Sequence, residues 1–277
     1  MENKHQTHSI IITICSTKGG VGKTTLAANL SGLLSDLGFR VLMVDGDIQP
    51  GLTSYYPLTH LADHGLYSLI KAEIDPAQCI SKTSVADIVI SDDPSGSLQQ
   101  WINSTPDGRI RLRGTLQKLR SDYDFIIIDS QGANTPLQHT TVLAADILLS
   151  PIPPDIMSSR EFSRGTLAML ESLDPLRALG APLGQLYGLI YRKDRTKDAR
   201  IFVDQLTNET FQKSNSRIRI LQTFIPQLVA YKNAASQKVP VHSIDQRAKR
   251  TLCELLSELL PNLQTHCHEF MGENEDE

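Results

Sequence analysis

The sequence predicts an α/β domain with a mostly parallel central sheet and helices on both faces. Short apolar runs rich in β-branched residues alternate with longer segments of helical periodicity along most of the chain. Strands that are apolar on both faces are typical of a parallel sheet covered by helices on each side. A glycine-rich stretch also joins the first apolar run to the first helical segment, at the kind of strand end where such folds bind ligands.

The apolar runs give the expected strands, which are IIITIC (10–15), RVLMVD (40–45), DIVI (87–90), DFIIIDS (124–130), DILLSPI (146–152), QLYGLIY (185–191) and IRILQTFIP (218–226). Helices are expected at 22–37, 110–120, 137–145, 159–173, 198–213 and 245–260. Two stretches dense in Gly, Pro, Ser and Asp, residues 45–60 and 91–108, are expected to be loops. Both follow strands, so we expect them near the ligand.

Composition limits the classes of protein that fit. We expect one domain over residues 1–268 and an acidic, disordered tail over 269–277, which holds five acids and no base. The remaining residues are nearly balanced, with 27 basic against 26 acidic side chains. No apolar run approaches the roughly 18 residues of a membrane span and no signal-peptide layout is present, so a cytoplasmic protein is expected. The cysteines form no CxxC pair and are expected to be reduced thiols.

The stretch STKGGVGKTT, residues 16–25, predicts a phosphate-binding loop. It ends in Gly-Lys-Thr between a strand and a helix, as a Walker A loop does, although Thr17 stands where the strict pattern has glycine. We expect Lys23 to reach the β- and γ-phosphates and the Thr24 hydroxyl to bind Mg²⁺. The residues expected to bind nucleotide are Lys18, Gly19, Gly20, Val21, Gly22, Lys23, Thr24, Thr25 and Gly132. A dinucleotide fingerprint is the main rival, but Lys23-Thr24 replaces its third glycine.

The run YDFIIIDSQG predicts the acidic residue that a nucleotide-bound metal requires. Asp129 follows four apolar residues at the end of a buried strand and is expected to face the phosphate loop through the Mg²⁺ shell. Gly132 completes the pattern D-x-x-G, and we expect its backbone N–H to sense the γ-phosphate. The sequence contains no N-K-x-D guanine signature, which favours ATP over GTP. ATP and Mg²⁺ are therefore the expected cofactors.

Lys18 lies directly before the double glycine, so KGGVGKTT matches the deviant Walker A signature, and the chain resembles the ParA/MinD family of ATPases. The resemblance covers about residues 9–260 and is strongest to chromosome and plasmid partition ATPases. Other segments that resemble the family are VLMVDGDIQPGLTS, GRIRLRGTLQKLRSDYDFIIID, YRKDRTKDAR and TFIPQLVAYKNAASQKVPV. Two segments depart from it: Ser130-Gln131-Gly132 replaces a common Cys-Pro-Pro, and NAASQ replaces EAPSH.

The resemblance implies a mechanism that involves two subunits. Two ATP-bound copies pack face to face, and Lys18 reaches the phosphates of the other copy, as an arginine finger does in trans. Asp47 helps to position the attacking water and the Mg²⁺ shell, while Asp45 binds the loop lysine or an outer-shell water. The expected catalytic residues are Lys18, Lys23 and Asp47, and the expected metal ligands are Thr24, Asp129 and, through water, Asp47. Hydrolysis of ATP is expected to be slow and stimulated by a partner.

The same resemblance implies that the ATP-bound homodimer binds DNA without sequence preference. A ParB-like centromere-binding protein would trigger hydrolysis and release, so that a plasmid, chromosome or integrated element is segregated on the bacterial nucleoid. Nonspecific binding needs a basic surface that contacts phosphates. The candidate DNA-binding residues are Arg192, Lys193, Arg195, Arg217, Arg219, Lys232, Lys238, Arg247, Lys249 and Arg250.

The alternative is a ParA/MinD relative that positions a membrane, polar or DNA-transfer complex. A membrane-associated member would need a basic amphipathic helix at its C-terminal end, whereas this sequence ends in acids, so no membrane partner is expected. A scaffold that does not hydrolyse ATP is disfavoured, because the expected catalytic and metal-binding residues are all present.

Overall fold

One sheet of nine strands is the centre of the fold in the residues that the computed structural model describes, 9–177, 181–193 and 218–272. The strands are β1 Ile10–Ile14, β2 Val41–Gly46, β3 Leu58–His60, β4 Ser81–Thr83, β5 Asp87–Val89, β6 Phe125–Ser130, β7 Ile147–Ile152, β8 Gln185–Lys193 and β9 Ile218–Pro226. Their order is β3-β4-β5-β2-β6-β1-β7-β8-β9. Only β3–β4 and β4–β5 pair antiparallel among these strands, so the predicted mostly parallel sheet is confirmed.

Helices cover both faces of the sheet, and neighbouring side chains of β1 therefore pack into different apolar clusters. Ile12 lies in one cluster with Leu30, and Ile11 lies in another with Ile126. The helices are α1 Lys23–Asp36, α2 Leu66–Lys71, α3 Ser97–Ser104, α4 Arg111–Gln117, α5 Pro136–Ala144, α6 Ile156–Glu161, α7 Ala168–Arg177, α8 Ala230–Gln237, α9 Gln246–Leu259 and α10 Gln264–Met271. A π-helical segment, Phe162–Leu167, joins α6 to α7. Within the described ranges, every helix is too short or too polar to span a lipid bilayer.

The structure corrects three predictions of local structure. Residues 91–108 contain α3 rather than only loop, because Leu98 and Ile102 are buried on one side of that helix. The expected loop 45–60 ends in β3, which forms an antiparallel pair with β4 at the sheet edge. Helix α10 extends to Met271 and buries Cys267, so the expected domain end at residue 268 falls inside a helix. The expected helix at 198–213 and residues 273–277 lie outside the described residues.

The register of the sheet brings three chain segments together at the carboxyl ends of its central strands. Asp129 of β6 pairs with Ile14 of β1 on one side and with Asp45 of β2 on the other. Since these strands are parallel, the loops that follow them all leave from the same end of the sheet. The glycine-rich loop, the loop after Gly46 and the loop after Ser130 therefore start side by side.

Candidate nucleotide-binding site

The loop between β1 and α1 has the geometry of a phosphate cradle. Gly20 and Gly22 have φ angles of 72° and 98°, in the left-handed region that favours glycine. A Cβ atom at Gly22 would also collide with the ring of Tyr191. Helix α1 begins at Lys23, and no side chain of the described residues caps its start. Its first backbone N–H groups are therefore available to an anion.

Lys23 is the buried cation of this loop. It is 7% exposed, and its ammonium group donates a 3.2 Å hydrogen bond to the carbonyl oxygen of Lys18. Burial lowers the pKa of Lys23, and the nearby carboxylates of Asp129 and Asp47 oppose that shift. The ammonium group is thus held inside the loop. Oxygen atoms of a polyphosphate would replace the water molecules that burial removes from it.

Thr24 and Asp129 form a polar pair beside the loop. The Thr24 hydroxyl donates a 2.6 Å hydrogen bond to Asp129 Oδ2. Asp129 is 1% exposed, and burial raises its pKa to about 7 even though the Thr24 hydrogen bond favours the ionised form. Its other oxygen, Oδ1, is buried without a hydrogen-bond partner among the described residues. A buried carboxylate oxygen without a partner is costly in free energy, so this atom fits a bound cation.

The donor set fits Mg²⁺ in particular. Proteins usually hold this ion with one or two carboxylates and with phosphate oxygens of the substrate rather than in an all-protein cage. Accordingly, no three His, Cys, Asp or Glu side chains converge on one point in the described parts of the chain. Thr24 and Asp129 are the residues that would hold the ion, which would neutralise charge on the phosphate oxygens.

Asp45 binds Thr53 in the structure, whereas the sequence suggested a contact with the loop lysine or an outer-shell water. It is completely buried, and Oδ2 accepts hydrogen bonds of 2.7 Å from both the backbone N–H and the hydroxyl of Thr53. Burial raises the pKa of Asp45 to about 6, and the Thr53 hydrogen bonds oppose the shift. These bonds fix the loop after β2 and are made with Thr53 rather than with Lys23, while the alternative contact of Asp45 with an outer-shell water stays a prediction.

The loop after β2 carries Asp47 and folds over Thr24. Asp47 is half-buried, and its Oδ1 accepts a 3.2 Å hydrogen bond from the backbone N–H of Gln49. A Cβ atom at Gly51 would lie 3.4 Å from the Thr24 side chain, which shows how closely the loop approaches. Asp47 therefore lies on a segment that borders the candidate metal ligands without touching them directly.

The loop after β6 packs against the phosphate loop. Ser130 is buried and its hydroxyl donates a 2.9 Å hydrogen bond to the carbonyl oxygen of Ile14. A Cβ atom at Gly132 would lie 2.9 Å from both the Cα of Gly19 and the ammonium nitrogen of Lys23. Glycine at 132 thus permits a close approach of backbone to the cradle, which is the geometry that sensing of a phosphate by its N–H requires.

Lys18 points away from the cradle. Its ammonium group donates a 3.0 Å hydrogen bond to the hydroxyl of Ser158 in α6, and that hydroxyl donates a 2.6 Å hydrogen bond to Asp155. The side chain of Lys18 is therefore separate from the pair formed by Lys23 and the loop backbone.

Thr17 is bound to the same part of the chain. Its hydroxyl donates a 3.1 Å hydrogen bond to Glu161, and its backbone N–H donates a 3.3 Å hydrogen bond to the hydroxyl of Thr166. Gly165 has no room for a Cβ atom, because that position is taken by the Thr17 hydroxyl and the Glu161 carboxylate. These contacts explain why the loop tolerates a residue other than glycine at its first position.

Arg192, one of the predicted DNA-binding residues, lies at the phosphate loop. Its guanidinium donates a 3.4 Å hydrogen bond to the carbonyl oxygen of Gly20 and lies 5.5 Å from the centre of the Tyr191 ring. The backbone of Arg192 has a φ of 61°, a left-handed conformation that is unusual for this residue type. The end of β8 therefore contributes to the site, which the sequence pattern does not predict.

The other predicted DNA-binding residues lie outside this site or outside the described residues. Lys249 donates a 2.6 Å hydrogen bond to the carbonyl oxygen of Phe270 and lies 3.9 Å from its ring centre, so its charge is used within the fold. The side chain of Lys193 is not among the described side chains, and neither Arg195 nor Arg217 lies in the described ranges. The exposed members of the set are Arg219, Lys232, Lys238, Arg247 and Arg250.

Comparisons with known proteins identify the family of this chain. A family model described as an AAA domain matches residues 9–173. The maintenance of carboxysome distribution protein A of Gloeothece citriformis is 33% identical over 189 residues, covering 66% of this chain and 70% of that protein. The sporulation initiation inhibitor protein Soj of Bacillus subtilis is 26% identical over 244 residues, covering 86% of this chain and 92% of that protein. This chain belongs to the ParA/MinD family of ATPases.

The fold of the ParA/MinD family is matched over most of the chain. A solved structure of a Cyanothece McdA variant in complex with ATP has a TM-score of 0.78 and 26% identity, and covers 91% of this chain and 97% of that chain. The predicted P-loop fold and the predicted family are both confirmed. In this ParA/MinD protein, Lys18 occupies the signature position of the deviant Walker A loop.

Sequence reasoning misses several residues that the structure brings to the site. Tyr191 and Arg192 come from the end of β8, and Ser158 and Glu161 come from α6, more than 130 residues after the loop. None of them forms a local motif with the glycine-rich stretch. The one signal in the sequence is the segment YRKDRTKDAR, whose family resemblance and charge do not indicate contact with the phosphate loop.

Proposed function

We propose that this chain is a Mg²⁺-dependent ATPase that works as a switch, in which two ATP-bound copies pack face to face. The observation that carries the proposal is the different placement of two lysines on one loop. Lys23 lies inside the cradle, whereas Lys18 lies outside it on Ser158. A lysine that is not needed for the chain's own phosphates is available to those of a second copy.

The proposed roles follow from charge and position. Lys23 and the loop N–H groups would bind the phosphates, and the N–H of Gly132 would contact the terminal one. Lys18 of each copy would stabilise the charge that develops on the other copy's nucleotide. Asp47 would orient the attacking water, since it borders Thr24 without binding it directly. Phosphoryl transfer mainly requires positioning and charge neutralisation, so this set is sufficient for slow hydrolysis.

The cargo that we propose is DNA. The ATP-bound dimer would bind DNA without sequence preference through exposed basic residues, and a ParB-like centromere-binding partner would stimulate hydrolysis and release. This would segregate a plasmid, chromosome or integrated element in the cytoplasm, on the nucleoid. Exposure of Arg219, Lys232, Lys238, Arg247 and Arg250 supports the proposal. Phosphate contacts of this kind give binding that weakens steeply as salt rises.

Binding of nonspecific duplex DNA with ATP, with ADP and without nucleotide tests this proposal. We expect a gel shift only with ATP and Mg²⁺, and we expect it to weaken between about 50 and 200 mM salt. Arg247→Gln and Lys232→Gln should weaken binding, and Arg40→Gln is a matched control because Arg40 is already paired with Asp124 at 2.8 Å. DNA binding that is the same in all nucleotide states would contradict the proposal.

A second candidate is the positioning of a protein assembly instead of a replicon. It is favoured by the 33% identity to a protein named for carboxysome distribution. The two candidates differ in what is lost when the gene is deleted. Partition of DNA predicts that a plasmid or chromosome is inherited less faithfully, whereas positioning of an assembly predicts normal inheritance with a misplaced protein body. Counting both in the same deletion strain distinguishes them.

A further inference from the structure

Gln131 is held by a helix that the sequence does not predict. Its Oε1 atom accepts a 3.1 Å hydrogen bond from the side-chain nitrogen of Gln99 in α3, and a 2.7 Å hydrogen bond from the hydroxyl of Thr135. Thr135 is itself fixed, because its hydroxyl also accepts a hydrogen bond from the backbone N–H of Gln138 at the start of α5. The side chain of Gln131 is therefore anchored between two helices.

The next residue in the chain is the glycine that packs on the phosphate loop. Since Gln131 and Gly132 are joined by a single peptide bond, the anchor on Gln131 limits where the N–H of Gly132 lies. A Cβ atom at Gly132 would be 2.9 Å from Lys23 Nζ, so a small displacement of this backbone changes its distance from the phosphate site. The residue before Gln131, Ser130, is fixed to β1, so the two residues that precede Gly132 are both held.

The segment that carries Gln99 also contacts the loop of Asp47. The Ser91 hydroxyl donates a 2.5 Å hydrogen bond to the carbonyl oxygen of Asp47, and a Cβ atom at Gly96 would lie 3.4 Å from the Ile48 side chain. One segment, residues 91–104, thus contacts both loops that border the cradle. Neither of these contacts uses the sheet.

The segment is stiff enough to connect the two loops. Asp93 accepts a 2.6 Å hydrogen bond from the backbone N–H of Leu98 and a 2.9 Å hydrogen bond from the Ser97 hydroxyl, which fixes the start of α3. Leu98 and Ile102 anchor the helix in an apolar cluster. A displacement at Ser91 is therefore expected to reach Gln99 rather than to be absorbed between them.

We propose that Gln99 and Gln131 are positioning residues, which hold the N–H of Gly132 against the terminal phosphate of bound ATP. The segment of residues 91–104 joins this loop to the loop of Asp47, so that the two loops respond to the terminal phosphate together. The inference rests on the proposed function and adds the residues that distinguish ATP from ADP. It also gives a use to Gln131, which stands where the family commonly has proline.

The test is the preference of the protein for ATP over ADP. The Kd values of a non-hydrolysable ATP analogue and of ADP, both with Mg²⁺, are measured by titration calorimetry for Gln99→Leu, Gln131→Leu and the double variant. Loss of one hydrogen bond is expected to reduce the ATP preference about three- to tenfold while leaving ADP affinity unchanged. The double variant is expected to match Gln131→Leu, because that single variant already removes the contact with Gln99 together with the contact with Thr135. Ser91→Ala should act in the same direction.

Gln100→Leu is the matched control, since Gln100 is exposed on the same helix and should keep the ATP preference. Gln99→Ala replaces Gln99→Leu if the larger side chain disturbs folding. Equal losses for ATP and ADP, or effects of the two glutamines that add, would overturn the inference. If the wild-type protein bound both nucleotides but formed no dimer with ATP, the proposed function would be contradicted. The inference would then be judged by the ATP preference of the variants alone.

Discussion

The ammonium group of Lys18 lies 3.0 Å from the hydroxyl of Ser158, a residue 140 positions later in the chain. Lys23 belongs to the same loop but donates to the carbonyl oxygen of Lys18, 3.2 Å away. Two lysines of one loop thus contact different parts of the molecule. The difference predicts that their substitutions have different consequences.

Lys23→Ala is expected to weaken binding of ATP itself, because a charge-assisted hydrogen bond contributes about 1.5 to 3 kcal/mol, or roughly 10- to 150-fold in affinity. Lys18→Ala is expected to keep ATP affinity and to lose hydrolysis, since its amine lies outside the cradle. Fluorescent-nucleotide titration and phosphate release measure the two properties separately. Equal loss of affinity in both variants would contradict the assignment.

Gly132→Ala is expected to weaken ATP binding, because the added methyl group would lie 2.9 Å from Gly19 and from Lys23. The backbone must then move away from the cradle, and we expect the affinity for ATP to fall by about tenfold or more. Gly114→Ala in α4 is the control, since no atom lies within 4 Å of the added methyl group. In a helix that control should stabilise the fold by about 0.5 to 1 kcal/mol.

Acid is expected to destabilise the fold through His139. Burial lowers the pKa of His139 to about 4, and the charge of Arg109 acts in the same direction. The unfolded chain binds its proton near pH 6.5, so the stability present above about pH 6.5 is lost as pH falls toward 4. His139→Gln should reduce the slope of the unfolding free energy over that range, measured by urea denaturation.

Glu258→Ala is expected to destabilise the domain by about 2 kcal/mol, because it leaves two backbone donors without their acceptor. Its carboxylate accepts 2.8 Å hydrogen bonds from the backbone N–H groups of Gln222 and Thr223 in β9. The contact attaches α9 to β9. Chemical denaturation measures the change, and Glu254→Ala on the exposed side of α9 should have little effect.

The sequence is sufficient to predict those parts of the fold and site that one local pattern determines. Alternation of apolar strands and helices predicts the parallel sheet, and the glycines before Lys23 predict the cradle, because both depend on neighbouring residues. Prediction is poorer where contacts are distant in sequence. The charge of Arg192 suggests a DNA contact, whereas its left-handed backbone and its contact with Gly20 depend on how β8 ends beside the loop. Helix α3 escapes prediction because its polar composition hides the two buried residues that fix it.

The hydroxyl of Thr17 fills the space that a Cβ atom at Gly165 would need. Two positions almost 150 residues apart therefore share one volume, and only one of them can carry the extra atoms. Among homologues, this predicts that the first residue of the phosphate loop and the residue at 165 change together. A relative with glycine at the first position has room for alanine at the second only if the residue at 161 is also smaller, whereas Gly165→Ala alone in this chain should displace the loop. In this chain, the departure from the strict motif therefore depends on glycine at position 165.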